Sequence, residues 1–479
     1  MPLVPISLFL RMRKKGLVLQ KLQVDDYAAE GRSLSRQDGK VVFIEGAVPG
    51  DVVDVRLQKN KKDWASGKAV FFHAFAPDRT EPFCEHFGVC GGCKWQMLPY
   101  EKQLRYKQSE VEQNLLRIGK VALPPVQPIL GASPSTRYRN KLEFTFSNRR
   151  YLSNEEIASD QPIIQEEALG FHAPGIFDKV IDIHTCHLMV EPVNTIRNET
   201  RKFALEHHYP FYDIKAHTGW LRTMFVRICT TGEIMVNLVL AYDDEPERCR
   251  LLDHLLKKIP SITSLLYTIN PKWNDSIYDL QPQHYRGKDH VIEQLEDFRF
   301  KVGPKSFFQT NTYQAERLYQ VVRDFAGLTG TETLYDLYCG TGSIGIFLSR
   351  QARKIIGVEM IEEAVRDAGE NAHLNGIGHA RFYTGDVSAV CNEAFFAQHG
   401  KPDVVVTDPP RAGMDEKLVK AILTAAAPVV VYVSCNAATQ ARDLNVLDEK
   451  YQVTRVQPVD MFPHTHHIEN VVRLELKKD

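Results

Sequence analysis

Cys435 follows an apolar run, Pro428-Val429-Val430-Val431-Tyr432-Val433-Ser434, whose composition fits a strand buried on both faces. A thiol at the end of such a strand stands where open α/β sheets bind ligands, in the crevice outside the carboxyl ends of the strands. Nucleophilic addition is the chemistry a thiolate would do there; an inert core thiol is the competing expectation. Two acids are candidates to work beside it. Asp408 ends an earlier apolar run in Thr407-Asp408-Pro409-Pro410-Arg411-Ala412-Gly413. The prolines stiffen that loop and leave carbonyls exposed, a rim against which a flat ring can rest. Glu469, at the end of Met461-Phe462-Pro463-His464-Thr465-His466-His467-Ile468-Glu469, precedes a last apolar run and offers a carboxylate for proton transfer. The histidines before it have no fourth ligand at metal-binding spacing.

A second group of residues could hold a nucleotide-like ligand. Tyr335-Asp336-Leu337-Tyr338-Cys339-Gly340-Thr341-Gly342-Ser343-Ile344-Gly345 reads as a strand, a glycine loop and a helix start, with Glu359 at the end of the next strand. The loop fits a dinucleotide and S-adenosylmethionine alike, since the glycines admit any ligand to the backbone and the acid can grip a ribose diol of either. Three carboxylates favour the methyl donor. Asp336 would repel a pyrophosphate and attract a zwitterionic tail. Asp386 ends the third strand as an acceptor for an adenine amino group, and Asp408 ends the fourth. A third group is Cys84-x5-Cys90-x2-Cys93, dense enough for a metal or cluster site, with zinc and iron–sulfur both open on spacing.

These groups need elements to position them. From residue 301 apolar strands expected at 332–337, 354–358, 380–384, 403–407 and 429–433 alternate with helices, the pattern of a Rossmann-like parallel sheet covered on both faces. Residues 17–75 carry alternating runs such as Val52–Leu57 between the turn signals Gly31, Asp38-Gly39 and Pro49-Gly50, the pattern of a small OB-like β-barrel. Residues 76–300 mix short strands (141–146, 224–228, 234–240) with helices near 99–118 and 189–208 and predict a central α+β domain. Residues 1–16 are expected to be an extension, or sequence upstream of a start at Met12. The chain of 479 residues has 59 basic and 60 acidic side chains, so its total charge does not point to a partner. Local basic patches, Arg11–Lys15, Lys59–Lys62 and Arg137 to Arg150, suit phosphate contacts. No apolar run reaches the ~20 residues of a membrane span. Nine cysteines, odd in number and mostly solitary, fit a reducing cytoplasm. A monomer is expected.

In order along the chain, Ser306-Phe307-Phe308-Gln309-Thr310-Asn311, Asp336 to Gly342, Asp408 to Gly413, Ser434-Cys435-Asn436 and His464 to Glu469 resemble the RNA uracil-C5 methyltransferase family. The likeness is nearest to members acting on 23S rRNA that carry a TRAM domain and an iron–sulfur cluster, and Ala29 to Asp51 resembles the TRAM RNA-binding barrel. The resemblance implies that Cys435 adds to carbon 6 of uracil and that Glu469 removes the carbon-5 proton. It assigns Gln309, Tyr338, Glu359 and Asp408 to S-adenosylmethionine, with Asp386 as a further contact. It also makes Cys186 the fourth ligand of a [4Fe–4S] cluster with Cys84, Cys90 and Cys93, zinc being the alternative. Structured RNA is the implied substrate, rRNA first and tRNA second. A non-catalytic RNA-binding factor with a methyltransferase fold is a different class of reading, which an intact Cys435 and Glu469 oppose. Ser343 stands where the family often has Asn.

Overall fold

The computed structural model describes residues 17–37, 39–159 and 167–478. The expected N-terminal extension, the basic run at 11–15 and Asp38 lie outside the described residues. The chain divides into two compact units, the first running up to Glu81 and including Met97–Pro99, the second comprising Pro82–Gln96 and Tyr100 onward.

The first unit is a six-stranded sheet in the order Val18–Gln23, Val52–Asn60, Trp64–Ala74, Lys40–Glu45, Ser33–Gln37, Asp26–Tyr27. Period-two alternation puts Leu22, Val42, Ile44, Val53 and Val55 on one buried face. Asp51, fully buried, ties the end of the unit to its start. One carboxylate oxygen accepts from Ala76 N at 2.8 Å, and the other accepts from Val48 N at 2.8 Å and from the Arg79 guanidinium at 2.6 Å.

The second unit contains two seven-stranded sheets. The first, in the order 283–287, 264–269, 234–240, 221–228, 141–147, 168–172, 180–182, is antiparallel except where 234–240 meets 264–269. Helices Val193–Glu206 and Glu245–Lys258 pack with it over a core of aliphatic and aromatic residues. The second sheet runs 380–384, 354–359, 333–337, 404–407, 429–434, 469–476, 451–459. Its first five strands are parallel and the last two antiparallel, so the expected parallel sheet is in fact mixed. The strand order reverses direction between 333–337 and 404–407, the switch point at which such sheets open a crevice.

The expected division at residue 300 differs from the packing in two places. The hairpin Val291–Leu295 with Phe298–Val302 buries Val291, Leu295, Phe298 and Phe300 in the core of the second sheet, beside helix Thr312–Ala326. Helix Tyr100–Asn114, expected in the central domain, lies on the C-terminal sheet as well. Its Val111, with Leu115 just beyond, shares a core with Leu444, Tyr451 and Val472. Lys107, fully buried, donates to Asp460 at 2.6 Å. Amphipathic periodicity shows that a helix buries one face and leaves open which sheet receives it.

Candidate active site

Cys435 and Glu469 meet because their strands pair. Val429–Ser434 and Glu469–Leu476 are antiparallel neighbours with Ser434 opposite Asn470, so Cys435 and Glu469 are the next residues out on adjacent strands. Such cross-strand positions stand roughly 5 Å apart at Cβ. A buried amide clamp fixes the register: Asn470 donates to Gln440 Oε1 at 2.7 Å, and Gln440 donates to Tyr432 O at 2.9 Å. The Cys435 backbone is held in a tight turn. Ser434 Oγ accepts from Asn436 N at 3.1 Å, while the Asn436 side chain caps helix Ala437–Leu447 and donates to Arg411 O at 3.2 Å. Asp408 enters from the neighbouring strand Val404–Thr407, which pairs with 429–434.

The electrostatics of this corner are those of three acids and one cation. Burial first, then the Glu469 and Asp408 charges, push the Cys435 thiol up to about 11, against a lowering pull from Arg411. Glu469, 6 % exposed, is held well above the ordinary carboxylate range by burial and by Asp408. Burial raises Asp408 to about 7. The Asp408 charge thus favours the protonated form of Glu469, while Arg411 opposes it. The Arg411 guanidinium donates to His467 Nδ1 at 2.8 Å, so that nitrogen carries no proton. Burial, then His466 and Arg411, hold His467 neutral, its pKa lowered to about 3.

The glycine loop follows strand Thr333–Leu337. Tyr338, Gly340 and Gly342 have φ of 60°, 52° and 77°, and a Cβ on Gly342 would stand 3.0 Å from Ala368 Cβ. Asp336 is fully buried. Its Oδ2 accepts from Gly345 N at 2.8 Å, its Oδ1 has no partner among the described residues, and burial raises it to about 7. Glu359 accepts from Gly340 N at 3.1 Å and from Ile361 N at 3.0 Å, which pins the loop to the end of the second strand. Tyr338 is half-buried with its hydroxyl raised to about 12 by burial. Gln309 has its carbonyl held by Asn140 Nδ2 at 2.9 Å. Asp386 is exposed and caps helix Val387–Val390, accepting from Ser388 N and Oγ at 2.9 and 2.8 Å. One of its oxygens is thus already occupied.

Cys84, Cys90, Cys93 and Cys186 line a single cavity of about 340 Å³, with Arg139, His187 and Thr310 also in its wall. Gly92 N points at Cys90 Sγ at 3.4 Å, and Cys186 N donates to Asn194 Oδ1 at 2.8 Å. Burial foremost raises Cys93 to about 12 and Cys186 to about 11, the neighbouring thiols adding to it and hydrogen bonds from Gln96 and from the Leu188 backbone opposing it. Among the described residues the potential ligand atoms that cluster within 4.8 Å of one another belong to Glu85, His86 and His184 and to none of the thiols. Cys229, Cys339 and Cys391 are buried and Cys249 half-buried, Cys339 lying within the glycine loop. The three histidines before Glu469 form no metal-type cluster: His464 is buried, with Nδ1 3.2 Å from Gln103 Nε2.

The sequence did not single out Arg411 or Tyr319, and it offered His467 only among the histidines that lack a fourth metal ligand. Tyr319, buried, shares a hydrogen bond with Ser343 Oγ at 2.9 Å, and its hydroxyl is raised by burial and by Asp408, Asp336 and Glu469. A cation three residues after a strand-end acid and one strand from a thiol was the available signal for Arg411. The Tyr319 interaction spans elements and left no trace in local spacing.

The profile of the tRNA (uracil-5-)-methyltransferase family matches residues 282–477, and that of the TRAM domain matches residues 20–70. An uncharacterized RNA methyltransferase of Bacteroides thetaiotaomicron is 53% identical over 453 residues, covering 94% of this chain and 100% of the relative. One of Porphyromonas gingivalis is 49% identical over 460 residues, covering 95% and 99%. Among solved structures, the Pyrococcus abyssi tRNA (uracil-54, C5)-methyltransferase in complex with S-adenosyl-L-homocysteine superposes with a TM-score of 0.74 at 26% identity, over 95% of this chain and 100% of that one.

Proposed function

The chain belongs to the RNA uracil-5-methyltransferase family, and from that premise we propose that it forms 5-methyluridine in structured RNA, with 23S rRNA as the preferred substrate. The observation that carries this reading is the strand register that puts Cys435 beside Glu469, with Asp408 and Arg411 acting on both. Carbon 5 of uracil is too weak a nucleophile to take a methyl group unaided. Cys435, once deprotonated, forms a bond from Sγ to carbon 6, which gives carbon 5 enolate character. S-adenosylmethionine, when bound, supplies an electrophilic methyl group. Glu469 then takes the carbon-5 proton, the electron pair of that C–H bond restores the ring double bond, and Sγ leaves carbon 6. Burial and the Asp408 charge raise the proton affinity of Glu469, which suits its carboxylate to that step. The target base must be unstacked for Cys435 to reach it.

Gln309, Tyr338, Glu359, Asp386 and Asp408 would hold the methyl donor. The unpartnered Oδ1 of buried Asp336 and the glycine cradle beside it fit a ligand with donor groups at that end. Cys84, Cys90, Cys93 and Cys186 would hold a [4Fe–4S] cluster. Zinc–sulfur bonds of about 2.3 Å would draw four thiolates to within roughly 4 Å of each other; the wider placement here and the 340 Å³ cavity suit the larger group. Methyl transfer moves no net electrons, so the cluster's part is structural. The cysteine motif together with the small barrel favours rRNA. A transfer RNA substrate is the second reading, favoured by the archaeal structural relative.

RNA containing 5-fluorouridine tests the chemistry, because fluorine at carbon 5 cannot leave as a proton does and the adduct persists. Wild type should form a denaturation-resistant complex and Cys435→Ala none. No adduct from wild type, or an equal one from Cys435→Ala, refutes the mechanism. Mapping 5-methyluridine in rRNA and tRNA of a deletion strain separates the two substrates.

A further inference from the structure

A second concave surface, of about 620 Å³, lies beside the cysteine-lined cavity and shares His187 with it. Phe83, Tyr313, Val190 and Arg137 complete most of its wall. Phe83 is 42% exposed, Val190 37% and Tyr313 55%, an unusual concentration of apolar and aromatic surface in one hollow. Phe83 is locked edge-on between two rings, His187 at 5.5 Å and His464 at 5.0 Å. Arg137 sits at φ 56° with its amide donating to His187 O at 2.9 Å, and its guanidinium makes no ion pair among the described residues. No carboxylate lines the hollow.

Two segments join this hollow to the candidate active site. Tyr313 follows Gln309 and Asn311 along one stretch of chain, and Asn311 Nδ2 donates to Met461 O at 2.8 Å. His464, against Phe83, lies in the loop that carries His467 and Glu469. A ligand that fills both places is therefore continuous, flexible and anionic.

We propose that the hollow binds an unpaired nucleotide of the RNA substrate next to the target uridine, its base against Phe83 and Tyr313 and its phosphate on Arg137. This deepens the function proposed above and rests on it for the identity of the polymer. Exposed rings take any base by stacking, and a cation without a paired acid is matched to a phosphate. The site would hold the strand after the target base leaves the stack, which lowers the cost of keeping that base extruded.

The test uses full-length protein with unmodified rRNA and tRNA transcripts and with short oligouridylate. Tyr313→Leu should raise the RNA dissociation constant between roughly 5- and 160-fold, the range of one lost stack, and Tyr313→Phe should restore it. Arg137→Ala should weaken binding and flatten its salt dependence. Affinity for S-adenosylhomocysteine, measured by equilibrium dialysis, should stay within twofold of wild type in all three, which shows that each has folded. Transcripts carrying 4-thiouridine beside the target should crosslink to peptides containing Phe83 or Tyr313. RNA affinities unchanged in both Tyr313→Leu and Arg137→Ala, with no such crosslink, overturn the proposal even where wild type makes 5-methyluridine. The reverse result, lost RNA affinity in a protein that makes no 5-methyluridine, supports the hollow and refutes the methylation reading.

Discussion

The Cys435 thiol, raised to about 11 by burial and by Glu469 and Asp408, predicts a reactivity profile unlike that of an ordinary cysteine. The neutral form is the favoured one, so the thiolate fraction grows tenfold per pH unit until the pH passes that value. At pH 8 about one molecule in a thousand carries a thiolate, against about one in four for a free cysteine near 8.5. A more basic thiolate is also more nucleophilic, with a Brønsted slope of about 0.45, which recovers roughly tenfold of that deficit. The net expectation is modification roughly 20-fold slower than a free thiol at pH 8, before any effect of access. Access scales every rate equally, so the slope is the decisive quantity. Protein free of RNA would be treated with methyl methanethiosulfonate across pH 7 to 10, and the Cys435 peptide quantified by mass spectrometry. The logarithm of the rate should rise by about one per pH unit throughout. Arg411→Gln should slow the reaction at fixed pH by up to about tenfold, since one pKa unit is 1.36 kcal/mol, and Glu469→Gln should speed it. A plateau at or below pH 8.5, or both variants moving the rate the same way, would refute the electrostatic account.

Three further outcomes are expected. Lys107→Met strands the Asp460 carboxylate inside the protein and should cost about 3–5 kcal/mol in urea unfolding, with much of it recovered in Lys107→Met/Asp460→Leu. Gly345→Ala brings a Cβ to 2.9 Å from Asp336 Oδ2; it should weaken S-adenosylhomocysteine binding by roughly tenfold or more, or about 1.4 kcal/mol, while circular dichroism stays that of wild type. Cys186→Ala should lose most of its iron and sulfide in elemental analysis of anaerobically purified protein, and retention of both would remove Cys186 from the ligand set.

The strands bearing the site were legible almost to the residue. Expected runs at 354–358 and 429–433 became Lys354–Glu359 and Val429–Ser434, because a parallel strand buried on both faces leaves a Val/Ile signature. Strand Tyr451–Val459 was hidden. It lies at the sheet edge, alternates polar residues such as Gln452, Thr454 and Gln457 with apolar ones, and contains Pro458, which edge strands tolerate. The acids and the thiol were found because chemistry demands them at strand ends. The meeting of Cys435 with Glu469 depended on a last strand inserting between two others, a register no local pattern encodes. The hollow at Phe83, Arg137 and Tyr313 gathers residues from distant parts of the chain, each ordinary in its own neighbourhood.

Helix Tyr100–Asn114 packs on elements synthesised long after it. Lys107 waits for Asp460, and Val111 for Leu444 and Val472. At ~5–20 residues per second, the interval between the emergence of the helix and that of its partners is roughly 20–70 s. During that time a buried-type lysine and an apolar stripe are presented to solvent. The central sheet, encoded almost wholly in between, can close first. Within the second unit the helix is thus claimed last, when the final three strands arrive. A ribosome stalled before residue 460 would display this helix undocked, exposed to proteases and available to chaperones.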